Sequence, residues 1–553
     1  MKEFYAVLLD TVSIQKYIYS SNRLKDNLGA SHLVKNIYYK PLISTLNEIL
    51  PCGFSEAQYH NWETIPEVIG LQNDPCCMVE IGYIGGGNAI LFFSNIEHAK
   101  KFVQGWSLKL LLEYPGIQTA VALERLPAEY FVDSHAFKAG NTLLFTALAE
   151  NKNRYHPCTF SLKHGITADC RESGFSAEVY KRVAGEDNRY ISVISAKKKS
   201  AVEEASKEVS ELYSSILKDK YTFTSRLDQL GQTTGDSHLA VVHIDGNNMA
   251  KRFREVNELK SLRQLSSDVR KATEDSFKKL LTHIIGEVIP IIEKSNSGFE
   301  IAKDENNKRV IPLRYIVLGG DDITFVTDGR LGVYFAEKFM EYFSSKKLSD
   351  VKKISACAGI AIVKTKYPFF RAYELAEDLC KNAKKESRKH GDDTSWLDFH
   401  IAYSGFSGNI EAIREQHYRV DNSSLLFGPY RLSGEPKYHE NHFSNLKNGM
   451  RVFKQKWPRS KCKDLRLILS TGPAGRYKLA DFKSRGLLLP VISADKAYQQ
   501  SGWLDIEQSN STIPNKQMKT PYFDMLELME FYPDINLDSE IVSAKDPIDP
   551  EGG

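Results

Sequence analysis

Arg314-Tyr-Ile-Val-Leu-Gly-Gly-Asp-Asp-Ile-Thr-Phe-Val326 places two apolar runs on either side of a Gly-Gly-Asp-Asp centre. Two strand-like runs around such a centre predict a β-hairpin with Asp321 and Asp322 at its tip. The apolar flanks favour a half-buried tip. Two carboxylates about 6 Å apart repel each other by about 3 kcal/mol at an effective dielectric constant of ~20, which a bound cation would offset. An ordinary solvated turn is the alternative interpretation of the same residues.

A second segment, Leu239-Ala-Val-Val-His-Ile-Asp-Gly-Asn-Asn-Met249, predicts a buried strand that ends at Asp245 and passes into a helix. Magnesium prefers a few carboxylates, several waters and the phosphates of a substrate. Two such ions can activate a hydroxyl and stabilise a leaving pyrophosphate. The sequence therefore predicts Mg²⁺ (or Mn²⁺) at Asp245 and Asp321, with Asp322 as an outer or third ligand.

The composition is that of an ordinary globular protein. The chain has 553 residues, 42% hydrophobic and 26% charged, with a net charge of +3. This length predicts two to four domains, and the net charge demands neither nucleic acid nor an acidic membrane as partner. The N-terminus does not resemble a signal peptide, and no apolar run approaches the length of a membrane span. Eight scattered cysteines show no disulfide framework, so we expect a cytoplasmic protein.

An internal repeat is the most informative feature of the chain. Asp10 precedes Gly87 by 77 positions, and Asp245 precedes Asp321 by 76. Each copy reads as strand, helix, hairpin, helix and strand, which predicts two ferredoxin-like palm domains. The first copy keeps Asp10 but has Gly87 and Asn88 where the second has its aspartate pair. We therefore expect the first palm to shape the site or to bind a second nucleotide without holding the metal pair.

The predicted fold class is α+β, with two ferredoxin-like palms of the nucleotidyl cyclase type and a mainly helical C-terminal domain. The predicted domains are a degenerate first palm at 1–130, an inter-palm region at 131–235, a catalytic palm at 236–400, the helical domain at 401–535 and a disordered tail at 536–553.

Backbone N–H groups at a strand-to-helix junction suit a triphosphate, so Gly246, Asn247 and Asn248 are candidate phosphate ligands, with helix capping by Asn as the alternative. Basic residues of a downstream helix could reach the same phosphates, and a second nucleotide could lie near the first palm. The other candidate nucleotide-binding residues are Gly319, Gly320, Lys381, Lys384, Arg388, Asp10 and Ser13.

Two features between the palms have structural explanations. Lys197, Lys198 and Lys199 lie near the start of a charged helix, and such a run predicts a solvated helix face. A cluster of metal-ligating residue types lacks a C-x-x-C pair, so structural zinc is the less favoured interpretation. Its members are His156, Cys158, His164 and Cys170.

Several of these motifs together resemble the large polymerase–cyclase subunit of type III CRISPR effector complexes. They are His243-Ile-Asp-Gly-Asn-Asn-Met249, the Gly-Gly-Asp-Asp hairpin, Ile14-Gln-Lys-Tyr-Ile18 with Leu28-Gly-Ala-Ser31, and Ala372-Tyr-Glu-Leu-Ala-Glu377. The resemblance covers about residues 1–400, and the second palm is also similar to that of GGDEF diguanylate cyclases. It implies ATP as substrate and a cyclic oligoadenylate product, made for antiviral signalling through a downstream effector.

Two departures from that family are expected: no HD nuclease before the first palm strand, and no C-x-x-C ribbon between the palms. A stand-alone relative is therefore the expectation. RNA or subunits of a CRISPR complex are implied as alternative partners, and a homo-oligomer is left open. Two other functions are also left open: a non-enzymatic subunit that binds nucleotide or RNA, and a cyclase that uses GTP or makes a dinucleotide.

Overall fold

The computed structural model describes residues 3–154, 165–181, 188–231, 237–294, 299–350, 352–391, 394–403, 408–436, 439–492, 499, 501–507 and 516–533. Three members of the His/Cys cluster (His156, Cys158 and His164) and the predicted tail at 536–553 lie outside these residues. No helix in the described ranges is both long and apolar enough to cross a bilayer.

The first palm is a four-stranded antiparallel sheet in the order β2-β3-β1-β4. Its elements are β1 (Glu3–Val12), α1 (Ile14–Ile18), α2 (Leu24–Asn36), α3 (Lys40–Ile49), α4 (Glu56–Thr64), α5 (Gly70–Asn73), β2 (Val79–Gly85), β3 (Asn88–Phe93), α6 (Ile96–Glu113) and β4 (Gln118–Pro127). After it come a 3-10 turn (Ala128–Phe131), α7 (Ser134–Arg154), β5 (Val179–Lys181), β6 (Arg189–Ile191), α8 (Val193–Leu212), α9 (Ser214–Leu217), β7 (Tyr221–Thr222) and a second 3-10 turn (Leu227–Gln229).

The second palm repeats this arrangement within a six-stranded sheet, β10-β11-β8-β12-β13-β16, in which only β12 and β13 are parallel and β16 (Tyr430–Arg431) comes from the C-terminal region. Its elements are β8 (His238–Gly246), α10 (Met249–Glu255), α11 (Leu259–His283), a π-helical turn (Ile284–Val288), α12 (Ile289–Lys294), β9 (Arg309–Val310), β10 (Leu313–Gly319), β11 (Asp322–Asp328), α13 (Gly332–Ser344), β12 (Ala356–Lys364), α14 (Phe369–Lys389) and β13 (Trp396–Ala402). Because β8 and β12 are covered on both faces, they are nearly continuous apolar runs.

The two copies agree in register as well as in strand order. Asp10 lies opposite Asn88, and Asp245 lies opposite Asp322. The strand-to-helix junctions also match, because Ser13 and Asn248 precede α1 and α10 with φ angles of 55° and 59°. The predicted duplication of ferredoxin-like palms is confirmed by this topology.

The palms meet through their hairpins and through helices that cross between them. The tip at Gly320 lies against Gly86 of the first-palm hairpin, whose amide nitrogen is 3.8 Å from where a Cβ of Gly320 would stand. From α11, the buried Arg263 donates to the backbone of β2. Residues far apart in sequence therefore fix how the acidic hairpin faces the first palm.

The helix α8 packs along α2, and this contact corrects one prediction. Lys198 is only 3% exposed and donates to the carbonyl of Tyr17, while Lys199 pairs with Asp26 at 2.8 Å. The prediction of a solvated lysine face is therefore wrong for these two residues. The run is basic because buried carbonyls and a buried carboxylate of the first palm need cationic donors.

The C-terminal region is mainly helical, as predicted, and adds a small sheet in the order β14-β15-β18-β17. Its elements are α15 (Ile410–His417), β14 (Arg419–Val420), β15 (Ser423–Ser424), β16 (Tyr430–Arg431), α16 (Phe443–Lys456), α17 (Arg459–Leu469), a 3-10 turn (Pro473–Lys478), α18 (Leu479–Ser484), β17 (Leu504–Glu507), β18 (Lys516–Lys519) and α19 (Tyr522–Leu528). Asp524 of α19 accepts from the amides of Phe427 and Gly428 and from the hydroxyl of Tyr430, which joins this region to the palm sheet. The exact domain limits stay a prediction.

Candidate active site

Asp245 and Asp322 lie directly opposite each other at the ends of β8 and β11. Opposed residues of an antiparallel pair have Cα atoms about 4.5–5.5 Å apart, and their side chains leave the same face of the sheet. The side chains are 35% and 32% exposed, so both carboxylates line an opening rather than the core.

Asp321 joins them from the hairpin turn. Gly319 pairs with Asp322, which leaves Gly320 and Asp321 as the two loop residues. Gly320 has a φ of 58°, whereas Asp321 has no positive φ, and this combination is the type II′ turn that favours glycine first. Because Asp321 lies in a turn, the strand alternation that would point it away from Asp322 does not apply.

The turn is fixed against the end of β8 by Gly246. Its amide donates to the carbonyl of Asp321 at 3.1 Å, and a Cβ at Gly246 would lie 2.8 Å from the Cβ of Asp321. Any larger side chain at position 246 would therefore displace the Asp321 carboxylate. The glycine after Asp245 is needed for this close approach.

The three carboxylates make the site strongly unfavourable for negative charge. Burial and then the Asp245 charge raise the pKa of Asp321 to about 7, and the same two causes raise the pKa of Asp322 well above its usual range. One oxygen of Asp322, Oδ1, is buried without a hydrogen-bond partner. Such a set of crowded, incompletely bonded carboxylates fits a divalent cation.

Lys384 places a positive charge in direct contact with one of these carboxylates. From α14 its Nζ lies 2.6 Å from Asp245 Oδ2 and donates to the carbonyl of Gly246 at 3.2 Å. Among the described residues, no three His, Cys, Asp or Glu side chains are already gathered around one metal position. A metal-binding arrangement thus requires the Asp245 carboxylate to turn or to release Lys384.

The predicted phosphate ligands at the strand-to-helix junction are only partly available. The side-chain amide of Asn247 donates to Ser355 Oγ and to the carbonyl of Thr394, and its backbone N–H donates to the carbonyl of Ser355. Asn248 precedes α10 without a capping bond from its side chain. The backbone N–H groups of Gly246 and Asn247 therefore already have acceptors within the protein.

Lys381, Arg388 and Asp10 are three further candidate residues. Lys381 pairs with Glu377 and Asp378, and Arg388 is exposed near the end of α14. In the first palm, Asp10 pairs with Lys152 at 2.6 Å, which repeats the pairing of Asp245 with Lys384.

Sequence reasoning missed several residues that surround the acids. His243 and Thr324 lie two positions inward from Asp245 and Asp322, and the rings of Tyr373 and Tyr19 stack beside them with centroids 3.6 Å apart. A strand period of two could have identified His243, because residues i and i−2 share a face. Nothing in the sequence indicated that Tyr19 would reach the second palm.

The duplicated palms and the acidic hairpin define a palm-domain protein of the polymerase and cyclase type. Residues 238–391 match the model of the Cas10/Cmr2 family described as its second palm domain. The second palm is therefore Cas10-like, and this match confirms the predicted resemblance to the large polymerase–cyclase subunit of type III CRISPR systems. Comparison with curated proteins gives no match.

Solved structures that resemble this chain have low sequence identity to it. A Csm1–Csm4 cassette in complex with one ATP is 14% identical with a TM-score of 0.50, and the match covers 96% of this chain and 70% of that chain. Csm1 of T. onnurineus is 14% identical with a TM-score of 0.49, at the same coverage of both chains. A Csm1–Csm4 cassette in complex with cA4 is 12% identical with a TM-score of 0.47, covering 96% and 70%.

Proposed function

We propose that this protein is a magnesium-dependent nucleotidyl cyclase that converts ATP into a cyclic oligonucleotide and pyrophosphate for CRISPR-type antiviral signalling. The observation that carries the proposal is the meeting of Asp245, Asp321 and Asp322 at one opening of the Cas10-like palm. A protein without metal chemistry would gain nothing from such repulsion. A solved relative of this fold holds one ATP, which supports ATP as the substrate class.

Asp245 and Asp321 would hold Mg²⁺ or Mn²⁺, with Asp322 as an outer or third ligand. When bound, such ions supply activation of the attacking hydroxyl and stabilisation of the leaving pyrophosphate. The N-terminus of α10 would direct its positive dipole end toward the triphosphate. Catalysis then consists mostly of positioning and charge neutralisation.

The first palm would hold the second nucleotide, near Asp10 and Ser13. Its ribose hydroxyl loses a proton to solvent water, and its oxygen forms a bond to the α-phosphorus of the first ATP. The bond from that phosphorus to the bridging oxygen breaks, and pyrophosphate leaves. The last step of ring closure repeats this exchange within one chain.

Lys384 is the basic residue of α14 that faces the carboxylates. We propose that it moves from Asp245 to a phosphate when ATP binds, which frees Asp245 Oδ2. Lys384→Met should therefore lower kcat/KM for pyrophosphate release by about 100-fold, as expected for a lost charge-assisted contact. Lys389→Met removes an exposed lysine of the same helix that pairs with Glu386, and should change kcat/KM less than about fivefold. Equal effects of the two changes would contradict the role of Lys384.

The reaction is tested by incubating the protein with each NTP and Mg²⁺ or Mn²⁺, with and without RNA, and analysing products by mass spectrometry. A cyclic oligoadenylate with stoichiometric pyrophosphate is the expected result. A product formed from GTP but not from ATP would show that GTP is the substrate instead. Absence of product under every condition, together with stable co-purification of RNA or other subunits, would favour a non-enzymatic subunit.

A further inference from the structure

Beneath the acidic opening, the palm sheet contains a polar pair inside an apolar core. His243 and Thr324 are direct partners in the β8–β11 ladder, 3% and 0% exposed. The imidazole Nδ1 lies 3.1 Å from Thr324 Oγ1. Because side chains alternate along a strand, this pair shares its face with Asp245 and Asp322 one step further along the two strands.

The imidazole also reaches the unsatisfied carboxylate oxygen. His243 Nδ1 lies 3.3 Å from Asp322 Oδ1, the buried atom that lacks a hydrogen bond. Tyr373 covers the imidazole edge-on at 5.7 Å, and Tyr19 of the first palm stacks on Tyr373. This aromatic cover keeps water from that side, so His243 is the polar group placed to meet Asp322 Oδ1.

The repeat provides an internal comparison. In the first palm the positions of His243 and Thr324 are occupied by Leu8 and Ile90, which are likewise direct partners two residues from Asp10 and Asn88. That copy has a strand-end aspartate with a lysine partner but no acids in its hairpin. An apolar pair therefore satisfies the fold at these positions, and the polar pair accompanies the acids.

We infer that His243, oriented by Thr324, is a positioning residue that fixes the Asp322 carboxylate for metal binding. This inference rests on the proposed function of the acidic site. With Oδ1 directed at the imidazole, the second oxygen of Asp322 faces the opening shared with Asp245 and Asp321. Partners of this kind typically change metal affinity or activity by about 10- to 100-fold when they are removed.

The test introduces the first-palm pair into the second palm as His243→Leu with Thr324→Ile. Mn²⁺ binding is measured by EPR without nucleotide, and the Mg²⁺ dependence of pyrophosphate release is measured separately. The variant should need about 10- to 100-fold more metal for half-saturation in both measurements. His243→Asn places an amide nitrogen near the position of Nδ1 and should restore most of the affinity.

A control variant and a measurement of folding accompany the Mn²⁺ titration. His400→Leu removes another buried histidine from the same sheet and should leave Mn²⁺ affinity unchanged. Thermal unfolding checks that each variant is folded, and His243→Leu alone serves if the double variant is not. Unchanged Mn²⁺ affinity in a folded His243→Leu variant would overturn the inference. If the wild-type protein binds Mn²⁺ but releases no pyrophosphate, the proposed function fails while the binding series still decides the role of His243.

Discussion

Replacing Asp321 and Asp322 together by Asn should lower pyrophosphate release from ATP by at least about 1,000-fold, because both changes remove charge that must face the reacting phosphates. The side chains keep their size, so the type II′ turn and its contact with Gly246 should persist. A double Ala variant should be equally inactive. The rate is measured with purified protein, ATP and Mg²⁺ by a coupled pyrophosphate assay.

The same double Asn variant should be more stable than the wild type. The pKa of Asp321 is raised to about 7 in the folded state, so the wild type loses stability as pH rises from about 4 to 7. The variant lacks this ionisation and should gain about 1–3 kcal/mol at pH 8, and little at pH 4. Denaturant unfolding at the two pH values measures the difference.

A matched control distinguishes the loss of the site carboxylates from the loss of negative charge elsewhere on the protein. Asp275→Ala with Glu341→Ala removes two exposed acids that pair with surface lysines. Both rate and stability should stay close to wild type, since exposed ion pairs contribute about 0–1 kcal/mol. Full turnover by the Asp321/Asp322 variant in a clean preparation would refute the assignment of these carboxylates.

Replacing Arg263 by Ala should lower the free energy of unfolding by about 3–5 kcal/mol, which is the second large effect that we expect. This arginine of α11 is 1% exposed and extends into the first palm. Its guanidinium donates to the carbonyls of Gly82, Ile81, Pro66 and Val68 and to the carboxylate of Glu80. Removing it leaves these acceptors buried without donors, which costs more than the contacts themselves contributed.

Arg270 provides the control on the same helix. It pairs with Glu63 and is 36% exposed, so Arg270→Ala should cost no more than about 1 kcal/mol. Urea unfolding and pyrophosphate release are measured for both variants. We expect Arg263→Ala to reduce activity as well, because it weakens the apposition of the palms without touching Asp245, Asp321 or Asp322. Equal stability of the two variants would contradict this account of the palm interface.

The duplicated palms could be predicted from the sequence because the two copies place their key residues at nearly the same spacing. Asp10 with Gly87 and Asp245 with Asp321 recur at nearly equal separations, and strand ends and hairpin tips are local features. The sequence also predicted which three acids to consider. What it could not supply was the turn geometry, since the pairing of Gly319 with Asp322 and the φ angle of Gly320 are what place Asp321 in the loop rather than in a strand.

The remaining differences between the sequence predictions and the structure come from contacts between residues that are far apart in the sequence. The burial of Lys198 depends on a carbonyl of Tyr17, which is 181 positions away, and the amide of Asn247 depends on Ser355 and Thr394. Contacts of this kind leave no pattern in the sequence around Lys198 or Asn247. His243 was missed because a single histidine in an apolar strand is usually an ordinary core residue, and its meaning came from the comparison with Leu8.

The central claim is that Asp245, Asp321 and Asp322 share divalent cations beside a bound nucleotide. A crystal structure with Mn²⁺ and a non-hydrolysable ATP analogue, with anomalous scattering from manganese, tests it most directly. We predict two peaks about 3.5–4 Å apart within bonding distance of Asp245 and Asp321, with Lys384 on a phosphate. A saturated crystal with nucleotide bound, Lys384 still on Asp245 and no manganese at these carboxylates would contradict it.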